Sequence, residues 1–371
     1  MSARASLWLA APSAYAGLDA PRARAIALIW AVLLLACLAA LSIPPPPQAQ
    51  AVPGDPASNV TDIMLYESIA AGVRGGGNYY TVAADALRRG EFPLKPFVTF
   101  RLPTLAMVQA YLPPALVIAL LYALATGVGF AWYQVLRPAF VRPLALVLAL
   151  VLLGAAMVVF VQPSLIPLHE VWAGPLIALS LALWRPGAAR DAIGVALIAM
   201  LVRETAALYA LVMLGLALIE RRRGEAWGWV GALGVLAVVV TCHAWAVSWV
   251  VTVDDAVSPG WHGLLGFGYF VKVMTLSTAL AELPLLIAAP LVGAALIGWS
   301  GWADPRARRV LATIAAYGAL LALFARANNF YWGLLAAPTL LIGLAFLPDT
   351  VRDLWASAAA RRRITVTRLK R

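Results

Sequence analysis

The sequence predicts an all-α polytopic membrane protein, with about eight spanning helices, a re-entrant pair of half-helices and short amphipathic helices in the first outer loop. Three observations predict it. Hydrophobic residues fill 63% of the 371 positions and charged residues 12%, with a mean hydropathy of +0.86, which is too apolar for a soluble core of this size. The apolar residues gather in runs long enough, or nearly long enough with tilting, to cross a bilayer. The bases lie mostly in the loops between runs, so the net charge of +11 reads as membrane topology and not as affinity for nucleic acid.

The first run, about Ala25 to Ile43, follows a polar leader of about 24 residues. Ala49-Gln50-Ala51 resembles a signal-peptidase site, but the run is long enough to span and Pro44 to Pro47 separate it from the alanine pair. It is expected to stay as an uncleaved anchor. Residues 44–104 then form the first outer loop, with no separate soluble domain in it. Ile63, Tyr66, Ile69, Ala70 and Val73 have helical spacing, so Asp62 to Val73 is expected as an amphipathic helix at the outer interface, with a second over Tyr80 to Arg89.

Further runs cover about Leu105 to Leu136, Leu144 to Val161 and Val171 to Trp184. The next, Ala192 to Ile219, is different. A helix over its 28 residues would be about 42 Å long, against a hydrocarbon core of about 30 Å, and it carries Arg203-Glu204 at its centre. Intramembrane ion pairs usually line a polar cavity. Arg185 and Arg190 precede the run and Glu220-Arg221-Arg222-Arg223 follows it, so both flanks are expected on the cytoplasmic side. The chain then enters, turns near Arg203 and returns, as broken helices do where protein or water covers the freed backbone. Spans at Trp227 to Val251, Glu282 to Trp299, Val310 to Phe324 and Phe330 to Leu347 follow, and then a basic tail over 348–371.

With 192–219 re-entrant, all six cytoplasmic segments are basic; treated as a plain span, it would put the last three outside. The expected protein is therefore one transmembrane domain over 1–371 with both termini cytoplasmic. The composition, rich in Ala, Arg and Gly, suggests a bacterium of high GC content, hence the inner membrane and a periplasmic site. Cys37 and Cys242 both fall in apolar runs and indicate no disulfide framework. No tandem repeat is present.

This topology collects Asp62, Arg101, His169, Glu170, Arg326, Asn328 and Asn329 on the outer face, with Arg203 and Glu204 below them. Guanidinium groups offer forked donors to phosphate oxygens, and carboxylates beside them suit a hydroxyl nucleophile. Asp62 reads either as a helix N-cap or as a general base. His169-Glu170 reads equally as a polar loop end and as a site pair. Arg101 is an interfacial anchor or a pocket residue, and Arg326-Ala327-Asn328-Asn329 lies between two short spans with little room to be only a linker. Asp254-Asp255 reads first as a solvated loop and second as a metal site. Tyr79, Tyr80, Trp172, Trp261, Tyr331 and Trp332 fit an interfacial belt first and sugar stacking second. Asn59-Val60-Thr61 is a sequon with little meaning in a bacterial chain.

Together these parts resemble the GT-C superfamily of integral-membrane glycosyltransferases. The resemblance rests on Asp62 in Thr61-Asp62-Ile63-Met64-Leu65-Tyr66-Glu67-Ser68-Ile69-Ala70, on the turn Gly75-Gly76-Gly77-Asn78-Tyr79-Tyr80, and on the short-helix pair with a basic tip. It implies transfer of a sugar, with inversion, from a polyprenyl-phosphate donor to a lipid, glycan or protein acceptor. Asp62 would be the base, and Arg203, with Arg101 or Arg326, would hold the phosphate. Ile63 stands where the family often has a second acid, so the resemblance implies a single-base mechanism and no predicted divalent metal. The lack of a soluble C-terminal domain points away from an oligosaccharyltransferase-like member. Two other classes fit the same features: a transporter or flippase for an anionic lipid or polyprenyl-linked glycan, and a non-catalytic assembly protein.

Overall fold

The computed structural model describes residues 7–45 and 61–360. The segment Ala49-Gln50-Ala51 that resembles a signal-peptidase site, Asn59 and Val60 of the sequon, and the tail residues 361–371 lie outside them. Every regular element among the described residues is helical. In chain order the helices are α1 (Ala20–Cys37), α2 (Asp62–Arg74), α3 (Tyr79–Arg89), α4 (Thr104–Tyr111), α5 (Pro114–Leu136), α6 (Pro143–Met157) and α7 (His169–Leu183). They continue with α8 (Arg190–Val202), α9 (Ala207–Ile219), α10 (Arg223–Ser248), α11 (Gly266–Leu276), α12 (Leu285–Gly301), α13 (Pro305–Phe324) and α14 (Gly343–Ala358).

Five helical segments are long and apolar enough to cross a membrane: Ala20–Ser42, Pro114–Ala139, Pro143–Val161, Arg223–Ser248 and Pro305–Phe324. Three other expected crossings are shorter or broken. Val171 to Trp184 becomes α7, of 15 residues, and Glu282 to Trp299 becomes α12, of 17 residues. Phe330 to Leu347 is divided into tight turns over Ala327–Leu335 and Ala337–Thr339 before α14 begins. Asn329 has non-helical torsions there, and Pro338 cannot donate to a continuing ladder. The run Leu105 to Leu136 also breaks, at Pro113-Pro114, which separates α4 from α5.

The basic tail expected from 348 is corrected: α14 runs through it to Ala358 and is packed. Asp349 and Asp353, one turn apart, accept backbone N–H groups from the N-terminal segment, Asp349 from Leu7, Trp8 and Leu9 at 2.7–3.0 Å and Asp353 from Ser13 at 2.9 Å. Both carboxylates also meet Arg352. α14 lies tightly on α12 because glycines let the backbones approach. A Cβ at Gly298 would collide with the carbonyl of Gly343, and one at Gly343 with the carbonyl of Ala295. Gly298→Ala is expected to cost about 1–3 kcal/mol. It should lower the midpoint of unfolding in an SDS titration, while Gly194→Ala, on open helix surface, does not lower it.

The region around Arg203 contains no Gly or Pro, yet the helix ends there. Arg203 is extended (φ −143°, ψ 108°), its N–H closes the last turn of α8 on Ala199, and its carbonyl starts the next turn at Ala206. α8 and α9 have 13 residues each, about 20 Å apiece. Their far ends meet at one pole of the bundle. There Arg309 pairs with Glu220 at 2.7 Å, Trp184 donates to Glu225 at 2.8 Å, and the Arg309 guanidinium lies 3.4 Å over the Trp184 ring. We call this end the basic pole and the opposite end the cavity pole.

Candidate functional site

At the cavity pole, α2 and α3 fold over the bundle as a roof. The N-cap of α2 is Thr61, whose hydroxyl accepts the Met64 N–H at 3.3 Å, and not Asp62. Asp62 stands in the first turn with its carboxylate unpaired among the described residues. Asn78 caps α3 through the N–H groups of Tyr80 and Thr81. The roof has its own apolar core, built from Leu65, Ile69, Val73, Ala83, Leu87, Leu94 and Phe100. The expected interfacial helices are thus packed on each other and on α4, with Arg74 donating to the carbonyls of Gln109 and Ala110.

The roof is clamped to the loop between α10 and α11. Arg88 makes a two-pronged pair with Asp255, both bonds at 2.7 Å, and Asp255 also accepts the Thr252 N–H at 2.7 Å. The reading of Asp254-Asp255 as a plain solvated loop is corrected for Asp255. The Arg88 guanidinium holds its carboxyl well below the usual carboxylate range. A carboxyl with a depressed folded pKa adds stability above its unfolded value of about 4, and that stability is lost as pH falls below it. Hydrogen exchange in 79–95 is therefore expected to accelerate as pH drops below about 4, after correction for intrinsic rates. Asp255→Asn should show the faster exchange already at neutral pH.

Beneath the roof lies a cavity of about 450 Å³. Asp62, Arg101, His169, Arg203, Glu204, Arg326, Asn328 and Asn329 all line it, so the structure brings together residues spread over more than 260 positions. Glu170 is the exception among the expected contacts. It is 2% exposed, stands behind the wall, and its Oε1 accepts from Arg203 Nε at 2.6 Å. Arg203 is itself 1% exposed, and its Nη1 donates to Glu204. The hairpin turn is thus held by a buried carboxylate, guanidinium, carboxylate chain. Arg101 reaches the same Glu204 oxygen at 3.7 Å and donates from Nε to the Tyr66 hydroxyl at 3.1 Å. Glu204 is answered by two guanidinium groups, both at the same carboxylate oxygen.

Other polar atoms at the wall are buried without partners: Thr99 Oγ1, both ring nitrogens of His169, Glu204 Oε2, Thr205 Oγ1, Arg326 Nε and Trp332 Nε1. These are seven of the twelve such atoms among the described residues. Buried polar groups are ordinarily paired, so their concentration here marks a surface built for a polar ligand. The His169 ring packs edge-on against Tyr66, with centroids 4.9 Å apart. Asn329 accepts the Arg326 N–H at 3.1 Å, and the Tyr269 hydroxyl donates to the Arg326 carbonyl at 3.0 Å, so the turn after α13 is fixed.

Sequence reasoning missed Thr99, Gln109 and Thr205 as lining residues. Thr205 follows the charge pair directly and was within reach of it; Thr99 and Gln109 carry no local signal. The aromatic belt reading is corrected for three residues. Tyr79 is buried and donates to the Arg101 carbonyl at 2.6 Å, Trp172 is buried and donates to the Ile166 carbonyl at 2.9 Å, and Trp332 is a cavity wall. Tyr331 and Trp261 line the cavity as well.

No protein-family model, curated protein or solved structure matches this chain.

Proposed function

We propose that the protein is an integral-membrane glycosyltransferase that moves a sugar from a polyprenyl-phosphate donor to an acceptor hydroxyl on a lipid, glycan or protein. The observation that carries the reading is the unpaired carboxylate of Asp62 in one cavity with the guanidinium groups of Arg101, Arg203 and Arg326. Asp62 takes the proton of the acceptor hydroxyl as its oxygen forms a bond to the sugar C1. The bond from C1 to the phosphate oxygen breaks, and its electron pair stays on the polyprenyl phosphate, whose charge is met by cationic donors in the wall. A single displacement of this kind inverts C1.

In the same reading the basic pole is cytoplasmic and the cavity periplasmic, in a bacterial inner membrane, with both termini inside. Eight spans carry the chain across, three of them as the short or broken helices α7, α12 and α14 with its preceding turns, and α8 and α9 form the re-entrant pair. The positions of the bases support this, since Arg306, Arg308, Arg309 and Arg221 to Arg223 share one pole. A flippase needs a route to the other side, whereas the ties among Glu220, Glu225, Arg309 and Trp184 bind the foot of the hairpin together.

The test is turnover in lipid nanodiscs with a panel of polyprenyl-phosphate-linked sugars, read as release of free polyprenyl phosphate by chromatography. Acceptor-dependent release is expected. Movement of intact sugar-lipid across vesicles, with no bond broken, would replace the reading with transport.

A further inference from the structure

The unpartnered atoms of the wall differ in kind, and the difference assigns parts of the ligand to parts of the cavity. Arg326 and Trp332, in the turn after α13, offer donors only: a guanidinium Nε–H and an indole N–H, both buried and unpaired. Arg326 has no ion pair among the described residues, while Arg203 is ion-paired with Glu170 and Glu204, and Arg101 lies 3.7 Å from Glu204 and donates to Tyr66. The hairpin floor is of opposite character. Glu204 Oε2 is a buried acceptor that repels a phosphate oxygen and requires a donor facing it. His169, when neutral, offers one donor and one acceptor, and Thr205 offers a hydroxyl, the pattern that complements a ring of sugar hydroxyls.

We propose that the cavity divides into an oxyanion seat at Arg326 and Trp332 and a hydroxyl-reading floor at His169, Glu204 and Thr205. This rests on the glycosyltransferase reading and corrects one part of it: Arg203, at the tip of the hairpin, is a positioning residue that aims Glu204, and the phosphate is met by Arg326. Glu204 then selects for the sugar and not for the carrier. Its charge, which opposes phosphate binding near Arg203, is the feature that reads a hydroxyl.

The experiment measures binding to the full chain in nanodiscs with two probes, a short-chain prenyl monophosphate and the same prenyl phosphate bearing a hexose. Arg326→Gln is expected to raise Kd for both probes by about tenfold or more, the effect of losing a hydrogen bond to a charged group. Trp332→Phe, which keeps an aromatic side chain and removes the N–H donor, should raise both by about threefold to tenfold. Glu204→Gln is expected to leave the monophosphate within about twofold and to weaken the hexose probe by about tenfold. His169→Phe keeps the packing against Tyr66, leaves the Glu204 ion pairs alone, and should show the same split. Equal weakening of both probes by Glu204→Gln and His169→Phe would overturn the division, as would unchanged phosphate binding in Arg326→Gln. If the wild-type chain binds neither probe, the glycosyltransferase reading itself falls; if it binds both alike, only the floor assignment falls.

Discussion

Asp62→Asn is expected to lower sugar transfer by roughly 10²–10⁴-fold, the range that a positioned general base contributes, with little loss of stability. The two effects separate because the helix start does not depend on Asp62: Thr61 supplies the cap, and the Asp62 carboxylate makes no ion pair among the described residues. Asparagine keeps the size and cannot take the proton. Turnover of polyprenyl-linked sugar should fall while binding of the hexose probe stays within a few-fold and thermal unfolding is unmoved. Wild-type turnover in this variant would remove Asp62 as the base, and a large loss of stability would return it to a structural role.

Glu170→Ala is expected to destabilise the protein by about 3–5 kcal/mol, the cost of leaving a buried charge with a partner removed. Arg203 and Glu170 are 1% and 2% exposed and bonded at 2.6 Å, so removing Glu170 leaves the buried guanidinium with Glu204 alone to answer its charge among the described residues. The double variant Glu170→Met with Arg203→Met should recover much of the loss, because apolar pairs of similar volume often replace buried ion pairs without penalty. Its turn would no longer aim Glu204, so hexose binding should remain impaired. The midpoint of unfolding in SDS reads the first effect and the probe titration the second. An unshifted midpoint in Glu170→Ala would mean that the pair does not hold the turn.

The charges in apolar surroundings were the legible part of this chain. Arg203-Glu204 stands out because a membrane span tolerates few ionisable groups, and their pole follows from the basic flanks at Arg190 and Arg221 to Arg223. What this pattern left hidden is which charge answers which. Glu170 and Arg203 are 33 positions apart and meet only because α7 and α8 pack antiparallel. The cap at Thr61 was hidden because neighbouring short polar residues compete for the same donors, and the clamp of Arg88 on Asp255 because a loop carboxylate 167 positions away gives no local sign. Span lengths misled where proline broke a run, as at Pro113 and Pro338.

The cavity draws on residues from distant parts of the chain, with Asp62 and Arg326 separated by 264 positions. A ribosome adding about 5–20 residues per second needs roughly 13–50 s to travel between them. Through that interval Asp62 has been made and Arg326 has not, so the cavity wall is incomplete. The N-terminal segment waits longer still, since the carboxylates of Asp349 and Asp353 that receive its backbone are made later. The cavity wall is therefore completed only after Arg326 has been made, and the tie of the N-terminal segment later still.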